Sequence, residues 1–126
     1  MYNIKKEKIK VYISSPYTNG DKLENVQRQM DVTDELMNNG FYPFTPLYSH
    51  FQHTYKPRLY EDWINVDLMW VEVCDCFLRI IPIINGKELI SKGADMEEAE
   101  AKKLDIPIFY SVKDLIKYYK NKKSEN

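Results

Sequence analysis

Short apolar, β-branched stretches alternate with longer segments of helical periodicity along the whole chain, and that order leaves few folds open. Residues 9–14 read as a first strand, followed by the turn-rich Ser14-Ser15-Pro16-Tyr17-Thr18-Asn19-Gly20. A helix over 21–39 carries Leu23, Val26, Met30, Thr33 and Leu36 on one face, and Gly40 supplies its stop. A second strand at 41–44 leads into an aromatic-rich loop at 45–57, then a helix at 58–73. A strand within 75–82, a loop at 83–91 with the turn signal Asn85-Gly86, and a helix from about 92 to 104 follow. A strand at 106–110, a helix at 112–120 and a solvated tail at 121–126 complete the chain. Its 126 residues fit one domain, with a core at about 9–120 and neither repeat nor linker. The pattern predicts an α/β fold: a doubly wound, Rossmann/flavodoxin-like parallel sheet flanked by helices. Ligands of such sheets bind beyond the carboxyl ends of the strands, which directs attention to 14–20, 45–57 and 83–97.

Two acids interrupt apolar stripes in those regions. Asp67 lies one turn from both Trp63 and Trp70, on a stripe read as Trp63, Val66, Trp70 and Val73. Glu97 falls three residues after Ala94 and four before Ala101. A carboxylate on a buried stripe must be paired, hydrogen-bonded or protonated, because desolvating its charge costs several kcal/mol. Proximity to a helix start should favour the ionised form of Glu97, as a nucleophile requires. An apolar wall of tryptophan should raise Asp67, as a proton donor requires. Structural salt bridges are the alternative use for the same two acids.

Composition removes several classes of function. The net charge of −1 offers no broad field toward nucleic acid or an anionic membrane, and no apolar run is long enough to span a bilayer. Residues 1–10 are charged and lack the apolar core of a secretion signal, so the cytoplasm is the expected location. Cys74 and Cys76 lack the further ligands of a metal site and read as reduced packing residues; no metal and no cofactor is expected. There is no Gly-x-Gly-x-x-Gly and no Walker-type loop. Ser14-Ser15 and Ser91-Lys92-Gly93-Ala94 open helices where hydroxyls and free N–H groups suit an anion. Serine and glycine at such places also cap helices and end turns with no ligand.

Four segments together resemble the nucleoside 2-deoxyribosyltransferases and the related 2′-deoxynucleoside 5′-monophosphate N-glycosidases. They are Val11-Tyr12-Ile13-Ser14-Ser15-Pro16-Tyr17; Asp67-Leu68-Met69-Trp70 with Asp75 beyond it; Ser91-x-Gly93-Ala94-x-x-Glu97 with Ala101 one turn on; and Leu104-Asp105-Ile106-Pro107-Ile108, where the family often has glycine at the Asp105 place. The resemblance covers about 11–108 and implies cleavage of an N-glycosidic bond through a covalent glycosyl-Glu97 intermediate. It implies Asp67 as acid/base and Tyr12 as the residue orienting the glutamate or the sugar. Ser14, Ser15, Pro16, Tyr17, Ser91, Gly93 and Ala94 would bind substrate, the 5′ end above all. It further implies a nucleoside or nucleotide as the small-molecule partner and a homodimer or higher homo-oligomer whose neighbouring subunit completes the pocket.

Transfer to a second base is the first expectation. Hydrolysis of a monophosphate and a non-catalytic nucleotide-binding module are the alternatives, and a glycohydrolase acting on a sugar-nucleotide or NAD-derived ligand also stays open. Asp75 is expected to be a cap, His50 and His53 solvated loop histidines, Trp63 and Trp70 core. Tyr48 and Phe51 would stack on a base or cover the core.

Overall fold

A computed structural model describes residues 8–124. Its main sheet holds β1 (Lys10–Ser14), β2 (Tyr42–Phe44), β3 (Cys76–Arg79) and β6 (Ile108–Phe109). The order is β2-β1-β3-β6 and every pairing is parallel. Five helices flank it among the described residues: α1 (Lys22–Asn38), α2 (Ser49–Tyr55), α3 (Tyr60–Val73), α4 (Lys92–Lys103) and α5 (Val112–Ser124). This is the doubly wound order of a flavodoxin-like sheet, with its switch point between β1 and β3.

The alternation of side chains along β1 and β3 builds two different layers. Val11, Ile13, Cys76 and Leu78 join Leu36 of α1 and Leu115 of α5 in one core. Tyr12 and Phe77 point the other way and pack with Val71 of α3 and Ala101 of α4. Ser14 and Arg79, paired in register at the strand ends, continue this second set. The face that carries α3 and α4 therefore receives the polar side chains.

Several local expectations are corrected. The loop at 45–57 contains a 3-10 turn at Pro46–Tyr48 and the helix α2, none of whose residues is buried. Tyr48 and Phe51 are accordingly exposed rather than covering the core. Residues 83–91 contain the hairpin β4 (Ile83–Ile84) and β5 (Lys87–Glu88). Asn85 and Gly86 both have positive φ, as a two-residue hairpin turn demands. Helix α5 continues through the expected tail to Ser124, and residues 1–7 and 125–126 lie outside the described residues.

The inward face of α1 includes polar Asn25 and Gln29, while Leu23 and Met30 are exposed. Backbone groups of the neighbouring loop need partners there: Asn25 donates to the carbonyls of Tyr17 (3.0 Å) and Asn19 (2.9 Å). On α3 the buried residues are Ile64 and Val71, whereas Val66, Trp70 and Val73 are 47%, 46% and 51% exposed. The stripe is thus rotated from the sequence reading. Asp67 stays on the inner side because it lies three residues from Ile64 and four from Val71.

Candidate active site

The carboxyl ends of β1 and β3 meet the middle of α4 and α3, and there the two acids come together. Glu97 is buried in α4 between Ala94 and Ala101. The Tyr12 hydroxyl donates to its Oε2, and Ser14 Oγ donates to its Oε1 at 2.7 Å. The Asp67 side chain shares a further hydrogen bond with it. Three donors from two elements, β1 and α3, thus converge on one carboxylate. Glu97 is the sixth residue of α4, beyond the first turn where the helix dipole acts. The donors, rather than the dipole expected from sequence, support its charge.

Burial lifts both acids, since charge is disfavoured away from water. Asp67 is pushed up to about 8 by burial first, then by the negative charge of Glu97 and by their hydrogen bond. Glu97 is raised by burial as well, against which the hydrogen bonds from Tyr12, Ser14 and Asp67 and the charge of Arg79 all work. Two adjacent acids cannot both ionise cheaply, and the donors converge on Glu97. The shared proton therefore resides on Asp67, with Glu97 as the carboxylate.

Both acids open onto a cavity of about 620 Å³, a volume typical of small-molecule sites. Of the residues that the resemblance implies for substrate binding, Ser15, Tyr17, Ser91, Gly93 and Ala94 line it. Tyr12 and Ser14 stand behind Glu97 and contribute no wall, and Pro16 is buried outside the lining. Ser91 is also the α4 cap, its Oγ accepting from Ala94 N at 3.1 Å. A Cβ at Gly93 would stand 3.2 Å from the Tyr60 hydroxyl, so any side chain there would push that ring back by a few tenths of an ångström. Asp75 proves structural: it accepts from Lys10 N at 2.8 Å and pairs with Lys10 Nζ at 3.3 Å.

Other parts of the wall went unread. Gln29 donates to Ser15 Oγ at 2.8 Å and accepts from Leu47 N at 3.2 Å, tying α1 to two site loops. His53 is no free loop histidine. Its Nδ1 accepts from Trp63 Nε1 at 2.9 Å and from Arg58 N at 3.2 Å, which places its own proton on Nε2. Trp63 and His53 both line the cavity, and so do Arg58 and Lys92. Arg79, buried at the end of β3, reads in sequence as one more strand residue. No local signal marks its role, because its partners lie 16 and 19 residues away on α4.

The model of the DUF7768 family, described as a domain of unknown function, matches residues 9–111. The chain belongs to this family. The match includes every candidate site residue from Tyr12 to Glu97, so the paired acids lie inside the DUF7768 unit. The fold is similar to that of a 2-deoxyribosyltransferase from the psychrotolerant bacterium Bacillus psychrosaccharolyticus. Identity is 21%, covering 79% of this chain and 69% of that one, with a TM-score of 0.52. A comparison with curated proteins finds no match. Among the described residues no helix is long and apolar enough to cross a membrane, and no cluster of His, Cys, Asp and Glu is arranged for a metal ion.

Proposed function

We propose that this DUF7768 protein cleaves the N-glycosidic bond of 2′-deoxynucleosides and transfers the sugar to another base. The observation that carries the reading is the placement of the acid pair: Asp67 and donor-laden Glu97 meet at one cavity wall, where burial and their mutual charge favour the proton on Asp67. A retaining displacement at an anomeric carbon needs those two groups in those two states. A Glu97 oxygen attacks C1′ while the bond to the base breaks, its electron pair going to the base nitrogen, which takes the Asp67 proton. An acceptor base then attacks C1′ and expels Glu97 as carboxylate, and the acceptor's proton returns to Asp67. Tyr12 and Ser14 hold the Glu97 oxygens in line throughout.

Hydrolysis of a nucleoside 5′-monophosphate, with water in place of the acceptor, is the second reading. Arg58 and Lys92 on the cavity wall favour it, since both can pair with a phosphate near Ser91. Assembly into a homodimer or larger, as the resemblance implies, would cover the half-exposed Val66, Trp70 and Val73.

The test is incubation of purified protein with deoxynucleosides or their monophosphates, with and without a second base, following bases by chromatography. Acceptor-dependent exchange is the expected result, abolished in Glu97→Ala. Sugar phosphate released from monophosphates alone would select the hydrolase. Tight nucleotide binding without turnover would leave a binding module. Wild-type turnover in Glu97→Ala would remove Glu97 as nucleophile.

A further inference from the structure

Arg79 is 7% exposed at its side chain, at the carboxyl end of the central strand β3, yet it does not line the main cavity. Its two terminal nitrogens reach α4 on both sides of Glu97: Nη2 to Asp95 at 2.9 Å and Nη1 to Glu98 at 3.5 Å. Its Nε is buried and has no hydrogen-bond partner. Asp95 is 64% exposed, so water screens much of what it offsets. Glu98 is shared with Lys102 at 3.2 Å. A buried guanidinium so placed retains positive potential toward its surroundings. In register beside it stands Ser14, whose hydroxyl holds Glu97.

We propose that Arg79 is a positioning residue for Glu97: its fork clamps the α4 turn around Glu97 to the end of β3 and sets a buried cation on the sheet side of the acid pair. The groups facing Glu97 are Tyr12 and Ser14 from β1, Asp67 and Tyr60 from α3, and Arg79 from β3, with Asp95 and Glu98 beside it on α4. Arg79 is the cation in that set. It adds to the hydrogen bonds from Tyr12, Ser14 and Asp67 in favouring the charged form of Glu97 against burial. The catalytic consequence rests on the glycosyl-transfer reading above; the effect on the pair's proton does not.

The experiment is titration of the carboxyl carbon resonances of Asp67 and Glu97 in full-length protein, labelled at both residue types and assigned with Asp67→Asn and Glu97→Gln. Arg79→Met should move the pair's transition up by about one pH unit, the size of a nearby opposite charge. Arg79→Lys keeps a cation but not the fork, so its titration should stay close to wild type. In deoxynucleoside kinetics the acidic limb of the kcat–pH profile should move up by the same amount in Arg79→Met, with KM little changed and the limb largely returned by Arg79→Lys. An unshifted titration in Arg79→Met overturns the proposal. If that variant does not fold, Asp95→Asn takes its place: relieving Arg79 of one anion should move the transition down, and no movement is equally fatal. Shifted titrations in a protein that turns over no deoxynucleoside would sink the transfer reading and leave the role of Arg79 standing.

Discussion

Replacing Asp67 with Asn separates what the acid does for chemistry from what it costs the fold. Asn has the shape of the protonated acid and keeps a donor toward Glu97, but it carries no transferable proton. Turnover should drop by about 10²–10⁴, the range associated with losing a positioned proton donor. Stability should move the other way. Folded Asp67 keeps its proton to about pH 8, whereas the unfolded side chain loses it near its ordinary value of 3.8. Between those limits the native state binds the extra proton, so native stability declines as pH rises through the window. The ceiling on that decline is about 1.4 kcal/mol per pH unit, and solvent reaching the partly exposed Asp67 reduces it. A gain on the order of 2 kcal/mol in Asp67→Asn over wild type should accumulate between pH 5 and pH 8. For a chain of 126 residues that is roughly 8 °C in midpoint. Thermal melts at half-unit pH intervals measure it directly. Two melting curves that stay parallel from pH 5 to pH 8 would show that Asp67 is ionised throughout, and the assignment of the shared proton would fail.

Tyr12→Phe removes a charge-supporting hydroxyl that no other group replaces. Its ring keeps the stack on Phe77 at 5.5 Å and the contact with Phe44 at 5.7 Å. A loss of about 1.5–3 kcal/mol in transition-state support predicts kcat lower by roughly 10- to 150-fold at little-changed KM, measured in the exchange assay. Asp105 follows α4 with φ +56, where the Ile106 and Asp105 amides close the helix on Ala101 and Lys102. Asp105→Gly relieves that left-handed conformation and should stabilise by about 0.5 kcal/mol after the entropy cost of glycine, visible in urea denaturation with activity unchanged.

The alternation of elements was legible because strands of an enclosed parallel sheet and their crossover helices have different apolar periods. Glu97 was legible for a simple reason: a charged residue between Ala94 and Ala101 has nowhere else to face. Asp67 was found through the wrong neighbours. Tryptophan dominates any reading of apolarity, yet Trp70 stacks on Phe44 at the surface while smaller Ile64 and Val71 fill the core. The helix α2 was missed because none of its residues is buried, so it carries no apolar rhythm. His53 and Arg79 were illegible for another reason. Their roles come from partners on other elements, and spacing along a chain does not encode a contact made across the sheet's end.

The two layers behind β1 and β3 also bear on how such a chain tolerates change. Along Val11, Tyr12, Ile13 and Ser14 successive residues enter opposite layers: Val11 and Ile13 the core with α1 and α5, Tyr12 and Ser14 the support of Glu97. A saturation scan of β1 should therefore lose abundance at all four buried residues, while turnover is lost at retained abundance only in the smallest changes at Tyr12 and Ser14, Tyr12→Phe and Ser14→Ala. One parity of the strand answers to packing alone and the other to packing and chemistry together, so the positions that support Glu97 are the ones with the least freedom to change.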